Sequence, residues 1–269
     1  MKENIPTGKY RGGLSRNEAI VLSELSYSGR SIFSLGDLRN RVPNPSRFVG
    51  HLLRKNWLVR LKRGLYLVAP LEAGAAGSNA HTVHPFLIAS NLASPYYIGY
   101  WSALNYHGLT STVPPKVYVA TTKALHERVI LHRTYRMVFA SRGKFFGLEE
   151  VSIGGEVVKL SDVEKTFVDC LDRPRHCGGM GEIATAFLAG VSLDHGKLLR
   201  YARRIGNRTV LKRLGFLAES LNIPEIKGAI KRSELSKGYS ILDPTLPPVG
   251  GTNDRWGLRV NADPEDWLK

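Results

Sequence analysis

Basic side chains concentrated between residues 46 and 63 could contact nucleic acid. Arg47, Gly50, His51 and Arg54 are three or four residues apart, so a helix would place them next to one another on its surface. Arginine has two parallel N–H donors that fit the acceptor pair of guanine, and such a contact discriminates between bases by roughly 1–3 kcal/mol. Three more cations follow in a strand-like segment, where they suit phosphate contacts. The predicted DNA-binding residues are Ser46, Arg47, His51, Arg54, Lys55, Arg60, Lys62 and Arg63.

A short helix over Ser46–Asn56 is predicted to carry the first part of this set. Prolines at 43 and 45 disfavour an earlier start, and Asn44 or Ser46 can cap the first turn. Two strand-like runs, residues 58–61 and 65–68, then flank a basic tip in which Gly64 can adopt positive φ. A helix with one basic face before such a hairpin predicts a winged helix-turn-helix. The apolar helix residues expected to face the core are Phe48, Val49, Leu52 and Leu53.

The rest of the chain predicts an α+β protein of two domains. Residues 15–18 form a capping box that starts a helix, and residues 34–37 are a weaker start signal for a second helix to about Arg41. With the basic helix and hairpin, these complete a winged helix-turn-helix DNA-binding domain at residues 1–69. Residues 70–82 are small and without periodicity, which is typical of a linker. Residues 83–269 are predicted to form a larger, mixed α/β C-terminal domain.

Strand and helix signals are interleaved within that C-terminal domain. Runs rich in β-branched and aromatic residues predict strands near 96–99, 117–121, 129–131, 135–140, 151–153, 157–160 and 256–260. Apolar periodicity and capping residues predict helices near 85–93, 101–107, 161–171, 182–188, 194–205 and 209–221. The domain is therefore expected to combine a sheet with several helices.

Positive charge is concentrated at the N-terminal end. The 269 residues carry a net charge of +15. Residues 1–68 contain thirteen Lys and Arg against four Asp and Glu, whereas residues 69–269 contain twenty-five against nineteen. A generally basic surface accounts for the total but not for this asymmetry. The asymmetry favours a polyanionic partner for the N-terminal domain.

Other features exclude several classes of protein. No run of about eighteen apolar residues occurs, so no transmembrane helix is expected. The first fifteen residues lack the apolar core of a secretory signal. Cys170 and Cys177 have no CxxC spacing, which argues against a disulfide scaffold or a structural zinc site. We expect a cytoplasmic protein that does not bind membranes and that uses no metal or cofactor.

Several segments resemble the AbiEi family of antitoxins. The resemblance begins at residues 97–110, YIGYWSALNYHGLT, and continues at 114–123, PPKVYVATTK. It extends through residues 145–147, 160–179, 242–244 and 256–258, and therefore spans nearly the whole chain. Each segment alone is a weak signal, but their combination is specific.

This resemblance implies a bacterial transcriptional regulator encoded beside a nucleotidyltransferase-like toxin of the AbiEii type. Members of the family have an N-terminal winged helix that binds inverted repeats in their own promoter, and a C-terminal domain needed for antitoxic activity. The chain is then expected to be an autorepressor and the antitoxin of a type IV, AbiE-like system of abortive phage infection. It would bind double-stranded DNA as a monomer or weak dimer that pairs on the DNA. Direct contact with the toxin stays open.

Two other hypotheses come from the residues themselves. A nuclease with a winged-helix targeting domain would need a catalytic set that includes residues such as Asp169 or Glu225. No HExxH, CxxC or carboxylate spacing supports such a set, so the chain is predicted not to be an enzyme. The third hypothesis is a pure interaction protein whose basic arm binds the toxin or RNA. It predicts that Arg47→Ala and Arg54→Ala leave promoter binding unchanged.

A metal site is also considered for four histidines, but none of them has metal-ligand spacing: His84, His107, His132 and His176.

Overall fold

The computed structural model of the protein describes residues 11–28, 31–69, 83–189 and 192–267. These residues form two compact units. The first comprises the described residues up to Leu92 together with residues 129–133 and 152–157, and the second comprises the other described residues. Helices and three sheets are combined in the chain, which confirms the predicted α+β class. The predicted linker, residues 70–82, lies outside the described residues, and the predicted domain boundaries stay predictions.

Within the described ranges, the first unit contains three α-helices and a small antiparallel sheet. In chain order its elements are α1 (Arg16–Tyr27), β1 (Ile32–Ser34), a 3₁₀ turn (Gly36–Leu38), α2 (Pro45–Arg54), β2 (Leu58–Lys62), β3 (Leu65–Val68) and α3 (Pro85–Ser90). The sheet has the order β1-β3-β2, and both pairings are antiparallel. Its core side chains come from α1, the 3₁₀ turn, the loop before α2, α2 itself and the sheet: Val21, Leu22, Leu25, Phe33, Leu38, Val42, Val49, Leu52, Leu58 and Tyr66.

The predicted capping box at the start of α1 is confirmed. The Ser15 hydroxyl accepts a hydrogen bond from the Glu18 N–H, and the Glu18 carboxylate accepts one from the Ser15 N–H at 2.7 Å. These two bonds satisfy donors that the first turn of a helix leaves without an internal partner.

The predicted helix from residue 34 to about Arg41 is wrong. Ser34 instead ends strand β1 and is paired with Leu65 of β3, and only one 3₁₀ turn follows. The Asp37 carboxylate accepts hydrogen bonds from both the N–H and the hydroxyl of Ser34, each at 2.7 Å. Ser34 and Asp37 therefore form the capping contact that the sequence predicts, but this contact closes a tight turn and does not start a helix. The reason is that pairing with β3 holds the residues before the turn in an extended conformation.

A six-stranded sheet, most of whose residues belong to the second unit, is accompanied there by a group of helices. The strands of this sheet are β4 (Tyr96–Ile98), β5 (Lys116–Thr121), β6 (Arg128–Ile130), β7 (Arg133–Phe139), β8 (Leu148–Ile153) and β9 (Glu156–Ser161). Their order is β6-β7-β5-β4-β9-β8, with β5 parallel to β7, β4 parallel to β9 and β4 antiparallel to β5. Most of the predicted strands are thus confirmed to within a few residues.

Six α-helices and a second small sheet complete the described part of the fold. The helices are α4 (Tyr100–Tyr106), α5 (Val163–Asp172), α6 (Met180–Leu188), α7 (His195–Arg204), α8 (Arg208–Ser220) and α9 (Pro224–Ala229). The small sheet consists of β10 (Ser240–Ile241), β11 (Gly251–Asn253) and β12 (Leu258–Val260). Helix α5 is central, since Phe167, Val168 and Leu171 are fully buried in the core that it shares with the neighbouring helices.

Candidate nucleic-acid interface

Local contacts define the first turn of α2. Asn44 is the N-cap, and its side-chain oxygen accepts a hydrogen bond from the Arg47 N–H at 3.0 Å. Pro45 occupies the first helical position, where its missing N–H costs no hydrogen bond. The helix ends at Arg54, two residues before the predicted end, and Asn56 then adopts a φ of 61° as the chain turns into β2.

Helix α2 has one buried and one exposed side. Val49 and Leu52 are 2% and 0% exposed, which confirms the predicted apolar stripe. Phe48 and Leu53 flank them and pack against the same core. The opposite side carries the predicted polar set: Ser46, Arg47 and Arg54 are exposed, and His51 is partly exposed.

The predicted basic hairpin follows at once. Strands β2 and β3 pair antiparallel, with Lys62 opposite Leu65 and a tight turn between them. Gly64 has a φ of 76°, a conformation that favours glycine. Arg60 and Arg63 are both exposed, so the hairpin presents two cations close to its tip.

Five of the predicted residues have side chains that are not engaged within the fold. In the part of the chain that the structure describes, no hydrogen bond or ion pair is made by the side chains of Arg47, His51, Arg54, Arg60 and Arg63. Arg41, by contrast, forms an ion pair with Glu24 at 2.8 Å. The unpaired cations can therefore bind an external anion without first breaking an internal contact.

The two lysines of the predicted set contribute to the fold instead. The Lys55 ammonium forms an ion pair with Glu18 at 2.6 Å, and the Glu18 side chain is only 7% exposed. This pair ties the end of α2 to the start of α1. The Lys62 ammonium donates hydrogen bonds to the backbone oxygens of Asn91 at 2.6 Å and Leu92 at 3.3 Å. Both lysines are thus less available for DNA than the arginines beside them.

Gly50 also lies on this surface, although it is not among the predicted DNA-binding residues. It lies in the middle of α2, on the side of Arg47 and Arg54, and a Cβ atom added to it would meet no atom within 4 Å. Glycine inside an exposed helix is less stable than alanine by about 0.8–1.0 kcal/mol. The described part of the fold therefore gives no steric reason for a glycine at this position.

Asp169, considered for a nuclease site, belongs to a buried ion pair. Lys165 and Asp169 are 0% and 1% exposed and are joined by a short hydrogen bond. The Tyr97 hydroxyl donates to the other carboxylate oxygen at 2.9 Å. Burial raises the pKa of Asp169, while Lys165 and Tyr97 act in the opposite direction. Both carboxylate oxygens of Asp169 therefore have a partner within the fold. Glu225, the other residue considered for a nuclease site, is exposed on α9.

The histidines considered for metal binding have separate local roles. His84 caps α3, where its ring nitrogen accepts a hydrogen bond from the Phe86 N–H at 3.2 Å. His107 is hydrogen-bonded to the Ser161 backbone oxygen at 2.8 Å. Within the described ranges, no group of three or more His, Cys, Asp or Glu side chains could hold a metal ion. None of the helices in those ranges is both long and apolar enough to cross a membrane.

Comparison with known proteins yields a fold match and no family. Neither a family model nor a curated protein matches the sequence. Among solved structures, the chain is similar to the crystal structure of the RV2827C protein from Mycobacterium tuberculosis, with a TM-score of 0.72 and 15% identity. The match covers 98% of this chain and 97% of that one. At this identity the likeness shows a shared fold over the full length and carries no function with it.

Proposed function

We propose that the protein is a sequence-specific DNA-binding repressor of its own promoter, and that its first unit acts as a winged helix-turn-helix. The observation that carries this proposal is the exposed side of α2, where Arg47, His51 and Arg54 have no partner in the described chain. These exposed side chains are solvated by water and can bind an anion without losing an internal contact. A polyanion supplies the partner that they lack.

The geometry suits the two grooves of DNA. Helix α2 enters the major groove, which is about 12 Å wide and accommodates an α-helix. Arg47 and Arg54 then reach base edges, and His51 lies between them. Arg60 and Arg63 on the hairpin contact phosphate, a role that requires charge rather than a fixed hydrogen-bond pattern. Two copies on an inverted repeat would place two such helices in successive major grooves.

The resemblance to the AbiEi family supports a second role. The segments that carry it, above all residues 97–123 and 160–179, lie in the second unit. The protein would then be the antitoxin of a type IV, AbiE-like system, and would oppose a nucleotidyltransferase-like toxin encoded beside it. Coexpression with that toxin tests this role separately from repression. A protein that binds its promoter but restores no growth would contradict the antitoxin role alone.

A gel shift on the DNA upstream of the gene tests the repressor role. The wild type is expected to give a discrete complex at physiological salt in the presence of competitor DNA. The Arg47→Ala/Arg54→Ala variant is expected to lose it, because each bidentate arginine contact contributes roughly 1–3 kcal/mol. Both side chains are exposed, so the substitutions leave the core unchanged.

A matched control removes the same charge elsewhere. Arg200 and Arg208 are exposed arginines of α7 and α8 in the second unit. The Arg200→Ala/Arg208→Ala variant is expected to bind the promoter like the wild type. If the α2 variant and this control bind equally well, the first unit does not read DNA through α2. Net charge alone then accounts for any binding.

A further inference from the structure

A second positively charged surface lies in the second unit, beside the 3₁₀ turn Pro174–His176 that follows α5. Two clefts open there, with volumes of about 430 and 360 Å³. The larger cleft is lined by residues 172–176, by residues 207, 209 and 213 at and within α8, and by residues 240, 241 and 244; residues 124–126 and 136–139 line much of the smaller one. Arg173 and His176 line both, so the clefts adjoin at this pair. Each has the size of a small-molecule site.

Positively charged side chains line both clefts and surround His176, which lies at their junction. Its ring packs edge-on against Tyr100, with the ring centres 5.4 Å apart. Burial lowers the pKa of His176 to about 4. The positive charges of Arg173, Arg136 and Lys116 add to this effect, in that order. The imidazole is therefore neutral at pH 7 and lies in a positive potential.

The nearby carboxylates already have partners. Asp172 accepts hydrogen bonds from the Lys144 ammonium and from the Asn207 side-chain amide at 2.8 Å. Glu127 is bound by Lys116 at 2.8 Å and lies 3.7 Å from Arg136. These contacts reduce the negative charge that the clefts would otherwise contain.

Arg173 is the arginine that lines both clefts, and it is loosely held. Its Nε atom lies 3.7 Å from the Asp172 carboxylate, which is beyond hydrogen-bonding distance, and its side chain is 35% exposed. Arg213, in contrast, donates to the backbone oxygens of residues 171, 241 and 242 and is 6% exposed. Arg213 therefore forms a fixed wall of the larger cleft, whereas the Arg173 guanidinium remains available for a ligand.

The walls also include neutral polar residues and apolar surface. Thr209 and Ser240 line the larger cleft, where their hydroxyl groups are hydrogen-bonded to each other at 3.2 Å, and Pro174, Ile241 and Pro244 form its apolar lining. In the smaller cleft Phe139 is 52% exposed and adds apolar surface. A lone inorganic anion would leave most of this surface uncovered.

We propose that the paired cleft binds a small phosphorylated molecule, with a phosphate group at Arg173 and the remainder of the ligand against the apolar walls. A guanidinium presents two parallel N–H donors that match two phosphate oxygens. Arg136 and Arg175, which line one cleft each, add positive charge on either side of this position. The site is separate from the DNA-binding surface proposed for α2, so each can fail without the other.

Calorimetric titration of the full-length protein with ATP, pyrophosphate and adenosine as probes tests the assignment. ATP and pyrophosphate are expected to bind, and adenosine to bind far more weakly, because the phosphate interaction dominates. Arg173→Gln is expected to weaken ATP binding by about tenfold or more. Arg200→Gln removes the same charge from an exposed position on α7 and is expected to leave the affinity unchanged.

A second measurement uses the wild type alone. A phosphate beside His176 favours the imidazolium form, so saturating ATP is expected to raise the pKa of His176 by about 1 or more in an NMR titration. An unchanged pKa would place the phosphate elsewhere and overturn the proposal. Equal affinities of the Arg173 and Arg200 variants for ATP would also overturn it, since binding would then be non-specific. Binding of a single-stranded oligonucleotide but not ATP would assign the cleft to a nucleic-acid backbone and reject the small-molecule site.

Discussion

Replacing Gly50 with alanine separates what the fold requires from what a bound partner requires. Gly50 is inside α2, and the added methyl group would meet no atom of the described chain within 4 Å. Alanine favours an exposed helix over glycine by about 0.8–1.0 kcal/mol. Gly50→Ala is therefore expected to stabilise the first unit, with an increase of about 0.5–1 M in its urea midpoint. Gly215 of α8 is different, because a Cβ atom there would lie 2.1 Å from the Trp256 ring.

The same change is expected to weaken DNA binding. If α2 lies in a major groove, Gly50 allows the helix backbone to approach the DNA between Arg47 and Arg54. A methyl group inserted into a packed contact costs about 1–3 kcal/mol. The affinity for the promoter is therefore expected to fall by about tenfold. A variant that is more stable but binds more weakly is difficult to explain by any defect of folding.

Urea unfolding followed by the NMR signals of the first unit, and quantitative gel shifts on the same preparation, measure the two effects. Gly228→Ala is the matched control, because Gly228 lies in helix α9 and also has open space around an added Cβ atom. This control is expected to leave promoter affinity unchanged. If Gly50→Ala binds the promoter as tightly as the wild type, the backbone of α2 does not approach DNA closely. If Gly50→Ala destabilises the first unit, the added methyl group must clash with a neighbouring atom, and the prediction that it fits without a clash is wrong.

Two further predictions concern buried charges. Burial acts to raise the pKa of Glu18, but bonds from Lys55 and Ser15 outweigh it and hold the pKa below 4.5. The stability that this carboxylate contributes is therefore fully present above about pH 4.5 and is lost as the pH falls through the folded-state pKa. The urea midpoint of the first unit is expected to fall between about pH 5 and pH 3, and to fall less in Glu18→Gln than in the wild type. An equal fall in both proteins would show that the carboxylate does not stabilise the fold. In the second unit, Asp169→Leu leaves the buried Lys165 unpaired and is expected to cost about 3–5 kcal/mol in the free energy of unfolding, whereas Lys165→Met/Asp169→Leu costs less. Equal losses in the two variants would show that the charges are not coupled.

Features that depend on neighbouring residues were predictable from the sequence. The capping box at Ser15, the two sides of α2 and the glycine in the turn of the β2–β3 hairpin all arise from contacts within a few positions along the chain. Helical periodicity alone places Arg47 and Arg54 opposite Val49 and Leu52. The predicted helix after residue 34 failed because its outcome depends on β3, a strand about thirty residues farther along.

The sequence by itself determined which residues carry positive charge and which side of α2 they share, because helical spacing is a local property. Only the tertiary structure decided which of those charges are free. Lys55 is bound to Glu18, 37 positions away, and Lys62 to the backbone of Asn91, 29 positions away. The cleft at Arg173 is likewise lined by residues from distant strands and helices. Long-range packing brings such groups together, and no pattern of nearby residues specifies it.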